Sequence, residues 1–356
     1  MSRNVVIIGA GIVGLSTALR IVEEYDDVDI VIIADTFLNQ TTSYGSGGLW
    51  EPYQIAGTPD EKINQWGKKA FEHFLSIYHS ADCAKAGVQL LQAYQLLKAN
   101  ENVPVPSWSD IVFNFQELDN NDLKKMNLSD KFCKGYTFGT LVIEQKSYLQ
   151  YVTDILLATN KVKFIQRKLE RLDDIPSVLA SNHANFSSID AIVNCTGLGA
   201  YSLLNDNSMY PIRGQVIRVK APWMNSVYFF GTSYIIPNVD SVVLGGTAQK
   251  GDWNTTTSLE DTQKILNDIY DVFPSLSQAK IETIWAGLRP GRTPLRLDSE
   301  HITIKNIPIK VVHCYGHGGS GITLGYGCAN EIVVDHLAAI FRSSNPHNKH
   351  KLMSKL

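Results

Sequence analysis

The sequence predicts an α/β fold in which parallel βα units interleave with a mostly antiparallel sheet, and two observations carry that expectation. The first is the N-terminal pattern. Val5-Val6-Ile7-Ile8 is a continuous apolar run, as in a parallel strand buried on both faces. Gly9 to Gly14 make a turn, and a helix follows with Ile12, Leu15, Ala18, Leu19 and Val22 on one face. A second apolar run, Asp29 to Ala34, ends at Asp35 and completes a βαβ beginning. The second observation is that βα-type pieces return near residues 150–200 and 310–342, with strands of another kind between them. Tyr234-Ile235-Ile236 and Val242-Val243-Leu244 flank a turn holding Pro237, Asn238 and Asp240, the pattern of an antiparallel hairpin.

The expected division is therefore discontinuous. Residues 1–50, 146–200 and 300–342 form one domain, 51–145 and 201–299 the other, and 343–356 a polar tail. Within the second domain Asp60 to Ile77 reads as a helix with Ile63, Trp66, Ala70, Phe74 and Ile77 on one stripe. Beyond it, apolar pieces are broken by Pro104, Pro106 and the polar run Asp119 to Asp122. Tyr148 to Leu157 reads as a helix capped by Ser147, and Val162 to Ile165 and Ala191 to Asn194 as buried strands.

Composition removes several function classes. A formal net charge of −3 over 356 residues gives no broad pull toward nucleic acid. Five scattered cysteines without CxxC spacing argue against a disulfide framework and against a structural zinc site, so no metal is expected. No stretch reaches the roughly 18 to 20 apolar residues of a membrane span, and Val5 to Ile8 is too short for a signal-peptide core.

Gly9-Ala10-Gly11-Ile12-Val13-Gly14 is a GxGxxG between a strand and a helix, with the acidic Asp35 about 20 residues on. Gly9 permits the tight turn, Gly11 lets the backbone approach a pyrophosphate, and Gly14 lets the helix pack against the sheet. The helix N-terminus favours the anion. Asp35 would accept from ribose hydroxyls and repel a 2′-phosphate. The fingerprint does not separate FAD from NAD. Val193-Asn194-Cys195-Thr196-Gly197, a strand running into Thr-Gly, and the hydroxyl cluster Thr41-Thr42-Ser43 lean toward a flavoprotein, although each is also compatible with an ordinary loop. Val311 to Ile322 runs from a strand into a loop with four glycines in six residues, followed by a helix. Such a helix N-terminus would stabilise negative charge on a reduced flavin ring. His313 and His317 have no partner at metal spacing and read as structural or flavin-proximal.

Together with the GxGxxG start, Gly48-Leu49-Trp50-Glu51-Pro52-Tyr53, Val193 to Gly197, Pro211-Ile212-Arg213-Gly214-Gln215, Ala221-Pro222-Trp223, Gly287-Leu288-Arg289-Pro290 and the Tyr315 to Gly321 loop resemble the D-amino-acid oxidase and D-aspartate oxidase family, nearly end to end and in order. Cys314 departs from the family pattern. The resemblance implies a Rossmann-like domain binding FAD without a covalent bond, interleaved with an antiparallel-sheet substrate domain. It implies that a free D-amino acid loses hydride from Cα to the flavin, that the imine hydrolyses to a 2-oxo acid and ammonia, and that O2 becomes hydrogen peroxide. It adds Gly48, Leu49, Leu169, Thr196, Gly318, Gly319, Gly321, Ile322 and Thr323 to the cofactor-binding residues already named.

For the substrate, the resemblance implies that Arg289 clamps the carboxylate, suited by its planar fork, and that the Tyr234 hydroxyl binds the same group. The Gly319 carbonyl would accept from the amine, and Glu51 lies close to that amine or supports the site from behind. No side-chain base is implied. Phe230 falls in the active-site lid, where many members carry a second tyrosine. Thr247 to Asn254 resembles the D-aspartate oxidase version, yet Ala248 and Val227 stand where that version has arginines. Neutral or broad D-amino acids are therefore favoured over D-aspartate and D-glutamate, since a buried side-chain carboxylate needs a cation. A glycine- or sarcosine-type amine oxidase, an NAD-dependent dehydrogenase and a non-catalytic flavoprotein are the rival readings. The chain ends in Ser354-Lys355-Leu356, the pattern read by the peroxisomal import receptor, so a peroxisomal matrix location is expected. A homodimer is one assembly compatible with all of this.

Overall fold

A computed structural model describes residues 2–101, 104–184 and 188–343. The tail ending in Ser354-Lys355-Leu356 lies outside the described residues. In chain order the strands are β1 (Arg3–Ile8), β2 (Val28–Ala34), β3 (Val88–Leu97), β4 (Phe113–Leu118), β5 (Lys134–Ile143), β6 (Val162–Gln166), β7 (Ala191–Asn194), β8 (Tyr210–Lys220), β9 (Val227–Phe230), β10 (Ser233–Pro237), β11 (Val242–Gly245), β12 (Gln249–Lys250), β13 (Lys280–Ile304) and β14 (Ile307–His317). They form one sheet in the order β4-β5-β3-β9-β10-β11-β8-β13-β14-β7-β1-β2-β6, with β12 added beside β8.

The end of this sheet from β14 to β6 is parallel throughout: β14 to β7, β7 to β1, β1 to β2 and β2 to β6. Val5–Ile8 of β1, Ile30–Ala34 of β2 and Ala191–Val193 of β7 are apolar without a break because both faces are covered. Val5 and Ile7 of β1 face one core with the Ile12–Glu24 helix, while Val6 and Ile8 face another with Ile175 and Leu179. The remainder is antiparallel apart from β3 against β9. There Ile217, Val219, Ile235 and Leu244 close a separate core under the Leu259–Val272 helix.

The two regions are joined by β13. Its first half pairs with β8, from Lys280 with Lys220 to Gly291 with Tyr210. Its second half pairs with β14, from Arg296 with Tyr315 to Ile304 with Ile307, after a register shift between Gly291 and Arg296. Arg289 sits just before that shift, at the seam.

Three local expectations change. The helix expected from Tyr148 runs Gln145–Ala158 with Glu144 as N-cap, and the Ser147 hydroxyl, inside its first turn, donates to Glu144 Oε2 at 3.1 Å. The polar run at Asp119 is a helix start: Asp119 Oδ1 accepts from the Asn121 and Asp122 amides, and Asn120–Lys125 is helical. The first hairpin strand gains a residue at each end and the second gains Gly245 alone, with Tyr234 opposite Gly245 and Pro237 opposite Val242.

Candidate active site

The first turn of the Ile12–Glu24 helix opens on a cavity of about 290 Å³. Gly9 (φ +104°) turns the chain so tightly that a Cβ there would run into the Cys195 carbonyl, and one at Gly14 would run into the Gly9 carbonyl. A Cβ at Gly11 would instead project beside Ser43 Oγ, at 3.2 Å. Gly11 caps the helix without a side-chain bond, and the Ile12 amide donates to Ser43 Oγ at 3.0 Å. Gly9, Ala10, Gly11, Ile12 and Val13 all line this cavity, as do Asp35, Thr41, Thr42, Ser43 and Thr196. Gly14 lies beneath the turn and serves helix packing. Asn194 Oδ1 fixes the Thr196 turn by accepting from its amide at 3.2 Å and its hydroxyl at 2.8 Å.

Gly318, Gly319, Gly321 and Ile322, at the N-terminus of the Gly321–Glu331 helix, line the same cavity, with Gly321 beside Ile12. Ser320 does not cap that helix. Its hydroxyl accepts from the Tyr53 amide at 2.7 Å and donates to the Tyr53 carbonyl at 2.8 Å. The helix end is thus left to attract negative charge in the cavity. A second cavity of about 340 Å³ adjoins the first, and Thr42, Ser46, Arg289, Gly319 and Ile322 line both. Two helix starts whose own N-cap residues make no side-chain cap, a turn in which Gly9 and Gly14 leave no room for a Cβ and an acidic residue after β2 suit a dinucleotide with its pyrophosphate over Gly11.

In the second cavity Arg289 Nη1 donates to the Thr247 carbonyl at 2.9 Å, and its guanidinium carbon lies 5.7 Å from the Tyr53 ring centre. The guanidinium lies over Gly214, where a Cβ would collide with it. Tyr234 lies across Gly245 and Gly246, and side chains there would meet its ring. Burial raises the Tyr234 phenol above its ordinary range, and the Arg289 charge beside it works against that rise. Glu51 also lines this cavity, and burial pushes its carboxyl from 4.5 up to about 8.

The structure brings Arg289, Tyr234, Glu51, Gly319, Gly48 and Leu49 to the second cavity. It does not bring Phe230. That side chain is buried against Phe132 and Phe273 in the antiparallel core, and its neighbour Phe229 faces the cavity. Side chains alternate along β9, so a one-residue error in phase puts the ring on the wrong face. Leu169 lines neither cavity and packs with Leu172 and Ile175. Thr323 is also away from both, its hydroxyl donating to the Glu51 carbonyl at 2.7 Å. Val227 is buried opposite Ala93, whereas Ala248 lines the second cavity.

Tyr53, Gln95, Trp285 and Ser233 were not foreseen in the second cavity, nor Gln40, Leu198 and Tyr315 in the first. Trp285 could have been suspected from Gly287, whose missing side chain makes room for that indole. His313 is structural: Nε2 lies 2.9 Å from Glu300 and Nδ1 3.2 Å from Asn194. His317, read as partnerless, is brought by folding to Cys314 and Cys328, with its Nε2 3.8 Å from Cys314 Sγ and all three ligand atoms within 4.8 Å of one another. Among the described residues no helix is long and apolar enough to cross a membrane.

Residues 4–334 match the family model DAO, FAD dependent oxidoreductase. The chain is 35% identical over 332 residues to human D-aspartate oxidase, covering 93% of each protein. It is 32% identical to the D-amino acid oxidase of Dugesia ryukyuensis, covering 92% of this chain and 96% of that one. Glycine oxidase from Geobacillus kaustophilus shares the fold at a TM-score of 0.75 and 16% identity, over 96% of this chain and 95% of that one. With the fingerprint, the glycine-rich helix start and the seam cavity in place, the chain belongs to the DAO family of FAD-dependent oxidoreductases.

Proposed function

We propose that the protein oxidatively deaminates free D-amino acids with neutral side chains, using non-covalently bound FAD. One observation carries the substrate class. Among the described residues lining the 340 Å³ cavity, Arg289 is the only cationic side chain, and Ala248 stands where a second could project. That cavity has a charged clamp for one carboxylate and none for a second, and a buried carboxylate without a cation is costly.

The pyrophosphate would lie on the Gly9–Gly14 turn, the adenosine ribose at Asp35, and the flavin ring between Gly48-Leu49 and the Gly318–Ile322 segment. Bound flavin supplies acceptance of the hydride from Cα and its passage to O2 as peroxide. The chain's own groups orient the substrate. Arg289 holds the carboxylate, Tyr234 donates to it as a neutral phenol, and the Gly319 carbonyl accepts from the amine. The Tyr53 and Trp285 rings wall the cavity and keep water from the reacting carbon. Likeness to human D-aspartate oxidase favours an acidic substrate instead. A peroxide assay over a panel of D-amino acids decides: kcat/KM for D-alanine should exceed that for D-aspartate, and the reverse order would replace the neutral reading with the acidic one.

We further propose a peroxisomal location through Ser354-Lys355-Leu356. Deleting Leu356 should move a tagged full-length protein from peroxisomes to cytosol, with turnover retained. Unchanged peroxisomal staining would refute the signal.

A further inference from the structure

The second cavity holds one acidic and one basic side chain among its described lining residues, Glu51 and Arg289. Its proposed substrate is a zwitterion. The carboxylate answers to Arg289, which leaves an ammonium whose positive charge a backbone carbonyl alone would have to meet. Glu51 lines the same cavity as Arg289, and its main chain is held in place. Its amide donates to Thr323 Oγ1 at 3.2 Å, and the same hydroxyl donates back to the Glu51 carbonyl at 2.7 Å. Two residues on, Ser320 Oγ makes the same two-way bridge to Tyr53. The Glu51–Tyr53 segment is thereby laced to Ser320–Thr323, the turn that carries the Gly319 carbonyl. Main-chain clamping leaves the Glu51 carboxyl unengaged: no hydrogen bond or ion pair to it is formed among the described residues.

We propose that Glu51 accepts a proton from the substrate ammonium, so that the amine is neutral when the Cα–H bond breaks. This rests on the D-amino-acid reading of the site. An ammonium N–H bond breaks and an O–H bond forms on the Glu51 carboxylate, with no change of oxidation state. The pair carries one proton before and after. Ammonium on Glu51 carboxylate and free amine on Glu51 carboxylic acid are therefore two forms of one complex.

The charged and titratable groups around Glu51 are few. Arg289 and Tyr234 share the cavity, Tyr53 follows on the same segment, and Tyr136 approaches from β5. The Tyr136 phenol is pushed up by burial first and by the Glu51 carboxyl second. None offsets the burial that raises Glu51, so the empty site holds the carboxylic acid below about pH 8 and the carboxylate above it. Zwitterion binding with the ionised form gives kcat/KM an acid limb near that pH, followed by a fall at the substrate amine's own pKa.

The test is the pH profile of kcat/KM for the FAD-loaded enzyme with D-alanine, compared with Glu51→Gln and Glu51→Asp. Glu51→Gln should lose the limb near pH 8 and rise instead with the free amine. At pH 8 its kcat/KM should fall by about a hundredfold, the lower end of a general-base contribution. Glu51→Asp should keep an acid limb, displaced in pH. A 2-oxo acid, which has a carboxylate but no amine, should still perturb the flavin spectrum of Glu51→Gln, showing that the variant is folded and the Arg289 arm intact. An unchanged acid limb in Glu51→Gln would overturn the proposal. Loss of the 2-oxo acid response would also count against it, because Glu51 would then be shaping the whole cavity. Absence of flavin reduction by any D-amino acid in the wild type would instead refute the reading on which it rests.

Discussion

At Arg289 the guanidinium spends one N–H on the Thr247 carbonyl and leans over Gly214, so its orientation is set before any substrate arrives. Arg289→Leu should retain FAD but lose about 2–5 kcal/mol of transition-state binding, a factor of tens to thousands in kcat/KM. Arg289→Lys should restore only part, since a point charge lacks the fork. Gly214→Ala tests the orientation without touching a charge. A methyl group there would displace the guanidinium, and a displacement near 1 Å is expected to cost about a hundredfold in kcat/KM with the visible spectrum unchanged. Ala248→Arg should raise the ratio of D-aspartate to D-alanine turnover, by pairing a second carboxylate and stranding a charge beside a methyl side chain. Glu51 also makes a stability prediction. Its folded pKa is raised, so the stability it allows is fully present below about pH 4.5 and is lost as pH rises toward 8. Melting curves should therefore show Glu51→Gln gaining on the wild type between those values and holding a constant lead above them. A difference that does not vary with pH would mean the carboxyl is not desolvated.

At the scale of elements, the Pro211–Gln215 and Thr247–Asn254 motifs turn out to build the frame. Arg213 of β8 is buried and bonds to Gln249, Asp261, Gln215, Asn254 and Thr256, with both Nη1 contacts, to Gln249 and Asp261, at 2.6 Å. It ties β12 and the Leu259–Val272 helix to the strand that lies under Arg289. Arg213→Leu would leave the part-buried Asp261 with its Gln249 contact but no cation, and is expected to cost about 3–5 kcal/mol in denaturant unfolding. What the sequence made legible follows from distance along the chain. The strand–glycine turn–helix at residues 3–24 is contiguous, so its pattern and its ligand geometry are local. The glycine-rich start of the 321–331 helix is equally local. Tyr53 against Arg289, or Cys328 against His317, are brought together only by the sheet order, and no local spacing announces them. Phe230 failed for a different reason. Strand β9 is four residues long, and its phase depends on pairing with Ala93–Leu96 rather than on its own composition.

At the scale of the whole molecule, β13 passes from the antiparallel region to the parallel one and carries Arg289 to the junction, so the proposed carboxylate clamp and the first cavity are positioned by one strand. Purified protein should be yellow, and acid precipitation should release the flavin, because the Gly9–Gly14 turn offers a ligand only backbone groups and a helix start. Adding FAD to the stripped protein should raise the melting temperature in proportion to the logarithm of excess ligand. Flavin retained in the denatured pellet would contradict non-covalent binding. The central claim is that this junction oxidises neutral D-amino acids, and anaerobic mixing of the holoenzyme with single amino acids tests it most directly. D-alanine should bleach the flavin absorbance within the mixing experiment, while L-alanine leaves it unchanged and D-aspartate bleaches it more slowly. Bleaching by L-alanine, or no bleaching by any D-amino acid, would contradict the claim.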